Sequence, residues 1–288
     1  MKLATFKIGG ERHIGRVDLD QMCVYPFDVS LYEASRGVTA LIGRAQMPRE
    51  KEPLDLARIR LEAPVPRPAR NIFCVGKNYH AHAKEFAQSG FDSSAASGDI
   101  PEHPIIFSKV PECVVGPEDA VVIDKSVSEA IDYEAELAVI MGVGGRGISA
   151  SDAMDHIWGY TIVNDVTARD LQGRHSQWLI GKSQDTFCPM GPWVVTTDDV
   201  DFSKMVVRCT VNGELRQSAP VADLIFDIPT LISTLSAGLT LNPGDIIATG
   251  TPVGVGIGFS PPKYLVPGDV VRVEIDQIGY LQNEMVAK

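Results

Sequence analysis

The amino-acid sequence predicts a mainly β (α+β) fold, built of packed sheets with a few helices. Short runs rich in apolar and β-branched residues recur along the 288-residue chain and are separated by turns. The stretch VNGELRQS places Asn212-Gly213 between two such runs, which is typical of a tight hairpin. The stretches NPGDII and VPGDVV each predict a type II turn that leads into a strand. Strands spaced by turns favour packed sheets over a doubly wound α/β sheet.

The composition excludes several classes of protein. With 44% hydrophobic and 22% charged residues, it is ordinary for a soluble globular protein. The net charge of −11 argues against nucleic-acid binding, because phosphates require a basic surface. No run reaches the roughly 18 apolar residues of a membrane helix. The first residues lack a signal-peptide core, and the five cysteines form no C-x-x-C pair, so we expect a reducing, cytoplasmic location.

The chain divides at a proline-rich stretch. Residues 1–60 contain short strands and a predicted helix over VTALIGRAQ. The next stretch, EAPVPRPARN, has prolines at alternate positions, which exclude a helix interior or a central strand and predict an extended linker. We therefore predict a small N-terminal α/β module over residues 1–66 and a larger domain over 67–288.

The larger domain alternates predicted strands with few helices. A buried strand, NIFCVG, precedes a helix over NYHAHAKEFAQ and a long polar loop. Strands follow at PIIFSKV, AVVID and YEAELAVIM, and then a helix over SASDAMDHIWG, with Ser149 or Ser151 as its N-cap. The strand YTIVND leads into VTARDLQGRHSQ, which is predicted to start as a helix, and a last helix covers IPTLISTLSAG.

The stretch IDYEAELAVI (residues 131–140) is predicted to be one strand with an acidic face. Asp132, Glu134 and Glu136 share that face because strand side chains alternate with period two. Like charges so placed repel one another, so the face is either solvated or holds a cation. Asp132 has no assigned role: it either supports such a site from behind or is exposed.

A third carboxylate is available where the strand YTIVND ends. Asp165 follows that strand, so it can complete a set of three oxygen ligands with Glu134 and Glu136. Such a set suits Mg²⁺ or Mn²⁺. Zinc is disfavoured, because no His or Cys stands at ligand spacing. The alternative for Asp165 is a helix N-cap.

Two segments after Asp165 carry groups that can bind an anion. Asp165, Arg169 and Gln172 are spaced i, i+4 and i+7, which predicts one helix face. Arg169 can bind a substrate carboxylate through paired hydrogen bonds, with Gln172 beside it. The alternative is a weak Asp–Arg helix pair. Lys182, flanked by apolar residues, is either a partly desolvated active-site group or a surface lysine.

Two further segments offer weaker candidates. The glycine-rich ATGTPVGVGIG lacks a phosphate-loop ending, but it lets backbone approach a ligand, and Thr251 offers a hydroxyl. His82 and Glu85, spaced i, i+3 on a predicted helix, can form a general-base pair, whereas His80 lies off that face. The alternatives are an irregular turn and a solvated helix.

Taken together, these segments resemble the fumarylacetoacetate hydrolase family, especially its bacterial acylpyruvase and 2-hydroxyhepta-2,4-diene-1,7-dioate isomerase-like members. The resemblance extends from about Asn71 to about Gly279 and rests on nine segments in order: VGKNYHAHAKE, PIIFSK, VVGPEDAVVI, DYEAELAVIMG, GYTIVNDVTARDLQ, GKSQDTFCPMGPWVVT, VNGE, PGDIIATGTPVGVG and LVPGDVVRVEIDQIG. It implies a β-rich core of rolled sheets and a homodimer.

The resemblance also implies roles for individual residues. The family's metal ligands match Glu134, Glu136 and Asp165. Its substrate-binding residues match Arg169, Gln172 and Thr251, and its active-site residues match His82, Glu85 and Lys182. An unusually long segment, residues 86–103, resembles the family's lid and leaves substrate specificity open.

The implied substrates are 2-oxo acids, and the implied setting is aromatic compound catabolism. The leading expectation is hydrolysis of the C–C bond of an acylpyruvate-type 2,4-dioxo acid, such as a fumarylpyruvate-like compound, through a metal-stabilised pyruvate enolate. The alternative is oxaloacetate decarboxylation, or isomerisation or tautomerisation of a 2-oxo acid. A non-catalytic 2-oxo-acid binding protein is disfavoured, because all the reactive residues are present together.

Overall fold

The computed structural model describes residues 1–88 and 100–288, and its architecture is mainly β. The strands are β1 (Lys2–Ile8), β2 (Glu11–Asp18), β3 (Cys23–Pro26), β4 (Leu54–Asp55), β5 (Arg60–Glu62), β6 (Ile72–Gly76), β7 (Ile105–Lys109), β8 (Val114–Val115), β9 (Val121–Ile123), β10 (Ile131–Asp132), β11 (Ala135–Met141), β12 (Ile157–Asn164), β13 (Thr167–Ala168), β14 (Cys188–Thr196), β15 (Val206–Val211), β16 (Glu214–Pro220), β17 (Ile246–Ala248), β18 (Val270–Ile275) and β19 (Gly279–Ala287). The helices are α1 (Leu31–Ser35), α2 (His80–Gln88), α3 (Arg169–Arg174), α4 (Leu179–Lys182) and α5 (Ile228–Gly238). The predicted mainly β fold is confirmed.

Two large sheets pack against each other. In the described part of the chain, twelve strands form one sheet, whose main path runs β4-β3-β2-β1-β14-β12-β11-β17-β6-β7. Five strands form a second sheet in the order β16-β15-β18-β19-β9, and β10 pairs with β13 alone. Buried residues of β15, β18 and β19 pack on β11 and β12 in a common hydrophobic core. A second core covers the opposite face of the large sheet.

Burial explains the differing strand patterns. Every residue of β11 is buried, because β11 lies in the centre of the large sheet and is covered on both faces. β15 and β18 instead alternate between buried and half-buried positions, as expected for strands with one face on the core. The central strand therefore carries acidic and apolar side chains alike into the interior.

The predicted turns and two of the helices are confirmed. β15 and β16 form the expected hairpin, with Asn212 and Gly213 both at positive φ. Gly244 and Gly268 also have positive φ, as the type II turns require, and each turn leads into a strand. α2 and α5 lie where the sequence placed them, and Asp227 caps α5 by accepting a hydrogen bond from the backbone of Thr230.

Two predicted helices are wrong. The stretch VTALIGRAQ forms only a short 3₁₀ turn, Gly37–Leu41. The stretch SASDAMDHIWG forms a 3₁₀ turn, Ala153–His156, and then enters β12 at Ile157. Asp152, not Ser149 or Ser151, precedes that turn. Pairing of β12 with β11 and β14 outweighs the weak local helix preference.

The predicted modules share one sheet. β1, from the N-terminal segment, pairs with β14, from the larger one, with Leu3 opposite Val194. The boundary at residue 66 remains a prediction from the sequence. In the described ranges, no helix combines the length and the apolar character needed to cross a bilayer.

Candidate active site

Three carboxylates meet in the interior. One oxygen each of Glu134, Glu136 and Asp165 lies within 4.8 Å of the other two, and all three residues are buried. They meet because Ala135 of β11 is opposite Asn164 of β12, and because the Asp165 N–H donates to the Glu134 carbonyl at 2.8 Å. The solvated-face interpretation of this stretch is therefore wrong.

The acidic stretch is not one continuous strand. β10 ends at Asp132 and β11 begins at Ala135, so Tyr133 and Glu134 lie between two strands of different sheets. Tyr133 is fully buried, and its hydroxyl donates to the Gly254 carbonyl at 2.8 Å. The break turns Glu134 toward the neighbouring helices instead of leaving it in a row along a sheet.

Three buried cations surround the carboxylates. Lys182 Nζ lies 2.8 Å from a Glu134 oxygen and 2.7 Å from an Asp165 oxygen. Lys109 Nζ lies 2.6 Å from the other Asp165 oxygen, and Arg169 Nη1 lies 2.6 Å from Glu134 Oε1. Lys182, at the end of α4, is thus a buried site residue and not a surface lysine.

Glu136 differs from the other two carboxylates because no cation pairs with it among the described residues. It accepts a hydrogen bond from the Gly250 N–H at 2.9 Å. Burial, together with repulsion from Asp165 and Glu134, raises the pKa of Glu136 well above its usual range. Burial opposes ionisation of Glu134 too, but Lys182 and Arg169 outweigh it and lower the pKa of Glu134 to about 2.

The cluster fits a hard divalent cation. All its candidate ligand atoms are carboxylate oxygens, the donors preferred by Mg²⁺ and Mn²⁺. A cation there would supply the positive charge that Glu136 lacks. The residues present therefore suit the divalent metal that the sequence predicts, although they do not distinguish Mg²⁺ from Mn²⁺.

Arg169 is buried with one end of its guanidinium unpaired. Nε donates to Asp132 at 2.8 Å, and Nη1 donates to the side-chain oxygen of Gln172 at 3.1 Å. Nη2 is buried and has no hydrogen-bond partner within the described ranges. The stretch VTARDLQGRHSQ does not start as a helix, because β13 occupies Thr167–Ala168 and α3 begins only at Arg169. Arg169 and Gln172 share α3, but Asp165 precedes it, so the prediction of one helix face is wrong for Asp165. Asp132 is fully buried, so it is not an exposed residue.

His82 and Glu85 form the predicted pair. His82 Nδ1 lies 3.1 Å from Glu85 Oε2, and His82 is buried whereas His80 is exposed. The Gly254 N–H donates to Glu85 at 3.0 Å. Glu85 can therefore orient the imidazole of His82.

Thr251 is buried in the glycine-rich loop. Its hydroxyl oxygen accepts a hydrogen bond from Gln217 Nε2 at 2.8 Å, and Gln217 Oε1 accepts the Ala135 N–H at 3.1 Å. Gln217 and Lys109 are not among the predicted site residues. Gln217 lies in a hairpin strand whose other residues are exposed or half-buried, and Lys109 ends an apolar strand, so neither shows a local signal of burial.

Most of the candidate residues line one pocket. The structure brings together His82, Glu134, Arg169, Gln172, Lys182 and Thr251, along with Lys77, Val75, Gly76, Phe86, Phe107 and Trp178. Trp178 packs edge-on against Phe86 and Phe107, with ring centroids 6.1 Å and 5.1 Å away. The pocket thus combines cationic and polar side chains with three aromatic rings. The predicted lid, residues 86–103, falls mostly outside the described residues.

The chain is similar to several known proteins. Residues 71–286 match the family described as "Fumarylacetoacetate (FAA) hydrolase C-terminal". Oxaloacetate tautomerase YisK of Bacillus subtilis is 52% identical over 231 residues, which cover 80% of this chain and 74% of that protein. A fumarylacetoacetate hydrolase from psychrophilic Exiguobacterium antarcticum has a TM-score of 0.87 and 40% identity over 100% of both chains. Maleylpyruvate hydrolase from Sphingobium sp. SYK-6 has a TM-score of 0.76 and 33% identity, also over 100% of both chains. All the candidate site residues lie within the matched region.

Proposed function

The chain belongs to the fumarylacetoacetate hydrolase family, and we propose that it is a divalent-metal-dependent oxaloacetate tautomerase. Such an enzyme interconverts the enol and keto forms of oxaloacetate. The observation that carries the proposal is the buried, unpaired Nη2 of Arg169, a residue that lines one pocket together with Glu134 and Lys182. The 52% identity to an oxaloacetate tautomerase supports this choice among the family's reactions.

The site has charges suited to a small dicarboxylate. Glu134, Glu136 and Asp165 would hold Mg²⁺ or Mn²⁺, and the ion, when bound, would supply Lewis-acid stabilisation of negative charge on the 2-oxo oxygen. Arg169 Nη2 can donate to a substrate carboxylate, and Gln172, which already contacts Arg169, can support the same group.

Tautomerisation moves one proton from carbon to oxygen. His82, oriented by Glu85, accepts the proton from C3 as the C3–H bond breaks, and the electron pair shifts toward the 2-oxo oxygen. Lys182 carries a positive charge beside the pocket, so it can stabilise that oxygen and supply the proton that completes the enol. After the enol leaves, His82 releases its proton to water and Lys182 takes one up, which restores the site. The reverse sequence returns the keto form.

Hydrolysis of an acylpyruvate-type 2,4-dioxo acid, the leading expectation from the sequence, is the second candidate. The His82–Glu85 pair that can accept a proton from C3 can also activate a water molecule. The similarity to maleylpyruvate hydrolase favours this candidate. It has weaker support than tautomerisation, because the relative at 52% identity is a tautomerase.

A substrate panel separates the candidates. The purified protein with Mg²⁺ or Mn²⁺ is given oxaloacetate, acetylpyruvate and fumarylpyruvate. We expect faster loss of the ultraviolet absorbance of enol oxaloacetate, with no matching release of CO₂. Pyruvate and a carboxylic acid from either acylpyruvate would favour hydrolysis, and CO₂ release matching oxaloacetate loss would favour decarboxylation. Unchanged enol–keto rates would refute the proposal. The homodimer and the cytoplasmic location remain predictions.

A further inference from the structure

The glycine-rich loop, residues 250–258, binds acidic side chains through its backbone. These side chains come from three separate parts of the fold: the strand end at Asp132, the central strand at Glu136 and helix α2 at Glu85. Four N–H groups donate to them: Gly250 to Glu136 (2.9 Å), Gly254 to Glu85 (3.0 Å), Gly256 to Asp132 (2.6 Å) and Ile257 to Asp132 (3.0 Å). The loop therefore connects the carboxylate cluster, the His82–Glu85 pair and Asp132.

The hydrogen-bonding capacity of Asp132 is fully used within the protein. Oδ1 accepts from the N–H groups of Tyr133 (2.9 Å) and Gly256 (2.6 Å). Oδ2 accepts from the Ile257 N–H (3.0 Å) and from Arg169 Nε (2.8 Å). Each oxygen thus has two donors, and the residue is fully buried. Asp132 has no lone pair left for substrate or metal, so any effect it has on catalysis must pass through its partners.

Two guanidinium nitrogens of Arg169 have partners in the protein. Asp132 holds Nε, and Glu134 and Gln172 hold Nη1. With Nε and Nη1 both fixed, the planar guanidinium has one orientation. That orientation sets the direction of the unpaired Nη2. We propose that Asp132 is a positioning residue that, anchored by the glycine-rich loop, aims Arg169 at the substrate carboxylate. This inference rests on the substrate-binding role of Arg169 in the proposed function.

The glycines of the loop are explained by the same contacts. A Cβ on Gly256 would lie 2.7 Å from Asp132 Oδ1 and would overlap the Lys263 carbonyl. A Cβ on Gly258 would overlap the Glu85 carboxylate. Neither residue has a left-handed φ, so the requirement for glycine there is one of space. The motif brings backbone close to acidic side chains of the site, not to a phosphate.

The test is the Asp132→Asn variant, measured by calorimetric titration with oxalate in the presence of Mg²⁺. In the asparagine, an NH₂ group replaces one carboxylate oxygen, so it faces N–H donors from which it cannot accept. The contact that fixes the orientation of Arg169 is therefore weakened. We expect about ten- to a hundred-fold weaker oxalate binding and a similar rise in KM for oxaloacetate, with a smaller change in kcat. Asp170→Asn is the matched control: Asp170, next to Arg169, bonds Ser128 and its own helix backbone instead, and its variant should bind oxalate normally.

A double-mutant cycle separates positioning from a general structural role. In an Arg169→Gln background, Asp132→Asn should weaken oxalate binding no further, because the group it aims is gone. Additive losses would overturn the inference, as would an Asp132→Asn protein with unchanged oxalate affinity. If Asp132→Asn does not fold, Gly256→Ala takes its place, because it displaces the same carboxylate without changing any charge. Weaker oxalate binding by Gly256→Ala would support the inference, and unchanged binding would overturn it. If oxalate binding depends on Asp132 as expected, but the wild-type protein does not tautomerise oxaloacetate, the positioning role stands and only the proposed function is refuted.

Discussion

At the scale of residues, the pocket is lined by the buried side chains of Lys77 and His82, among others. Beside it, four buried acids form a group with three buried cations; the acids are Asp132, Glu134, Glu136 and Asp165, and the cations are Lys109, Arg169 and Lys182. Buried charges are costly unless paired, and all but Glu136 make an ion pair within the group. Glu136, whose pKa is raised by burial and by its acidic neighbours, is the carboxylate that would gain a positive partner from a bound metal. A divalent ion would also add positive charge to the group, which suits a dianionic substrate.

Metal removal is expected to lower thermal stability. Mg²⁺ or Mn²⁺ at about 100 times its Kd should stabilise the folded protein by about 2.7 kcal/mol through linkage, and a chelator should remove this gain. The check is the melting temperature with and without chelator. In the Glu136→Gln variant the response should be largely lost, while the matched surface change Glu284→Gln should keep it. An equal response in both variants would refute the assigned ligand set.

His82 is expected to account for most of the proton transfer. Loss of a general base typically costs 10²- to 10⁴-fold in rate, so His82→Ala should lower kcat on oxaloacetate by about that factor. His80→Ala is the control, because His80 lies two residues earlier in the same helix and is exposed. Similar losses in the two variants, measured by enol absorbance, would count against the pair.

The sequence predicted these residues unevenly. Acids at alternate positions and at a strand end single out Glu134, Glu136 and Asp165, but only the family resemblance favours a metal site there over a solvated face. Lys109 and Gln217 were missed because burial of a single polar residue depends on strands far apart in the chain. The sequence leaves Asp132 without a role, because its partners are loop backbone groups more than 100 positions later, at Gly256 and Ile257. Such a contact has no local signature.

At the scale of elements, close backbone packing limits substitution in the central strands. A Cβ on Gly159 in β12 would lie 2.5 Å from the Val195 carbonyl and 2.7 Å from a Val194 methyl. Gly159→Ala should therefore destabilise the protein by about 1–3 kcal/mol, as overpacking does. Denaturant unfolding measures this.

The matched control lies at the end of α5. Gly238 is exposed and has open space where a Cβ would be, without a left-handed φ. Gly238→Ala should leave stability unchanged or raise it by about 0.4–1 kcal/mol. A tolerated Gly159→Ala would mean that β12 and β14 are less closely packed than described here.

The predicted elements fail where sheet pairing competes with local preference. The stretch SASDAMDHIWG has helix-like spacing, but Trp158 and Gly159 are needed to begin β12. IDYEAELAVI has the alternation of one strand, yet the chain changes sheets at Tyr133. Local patterns of polarity report burial on one face, so they do not detect a strand covered on both faces or a transfer between sheets.

At the scale of the whole molecule, continuity of the large sheet predicts joint unfolding. Phe6, in β1, is fully buried in the core that also contains Met141 and Tyr160. Phe6→Ala should cost about 3–5 kcal/mol and shift the denaturation midpoint. All three tryptophans, Trp158, Trp178 and Trp193, lie beyond residue 66, so their fluorescence reports only the larger segment.

The midpoint by tryptophan fluorescence should move as far as the midpoint by circular dichroism. The control is Tyr32→Ala, an exposed site in the N-terminal segment, which should shift neither. A fluorescence midpoint that stays in place in Phe6→Ala would instead support two independently folding modules.

The pairing of β1 also has a consequence for the order of events during synthesis. Thr5, Phe6 and Lys7 can pair with β5 once residues 60–62 emerge, but Lys2 and Leu3 pair with Val195 and Val194. At about 5–20 residues per second, the ribosome needs on the order of ten to forty seconds to deliver those partners. For that time the beginning of the first strand is an open edge, which is exposed to chaperones and to neighbouring nascent chains.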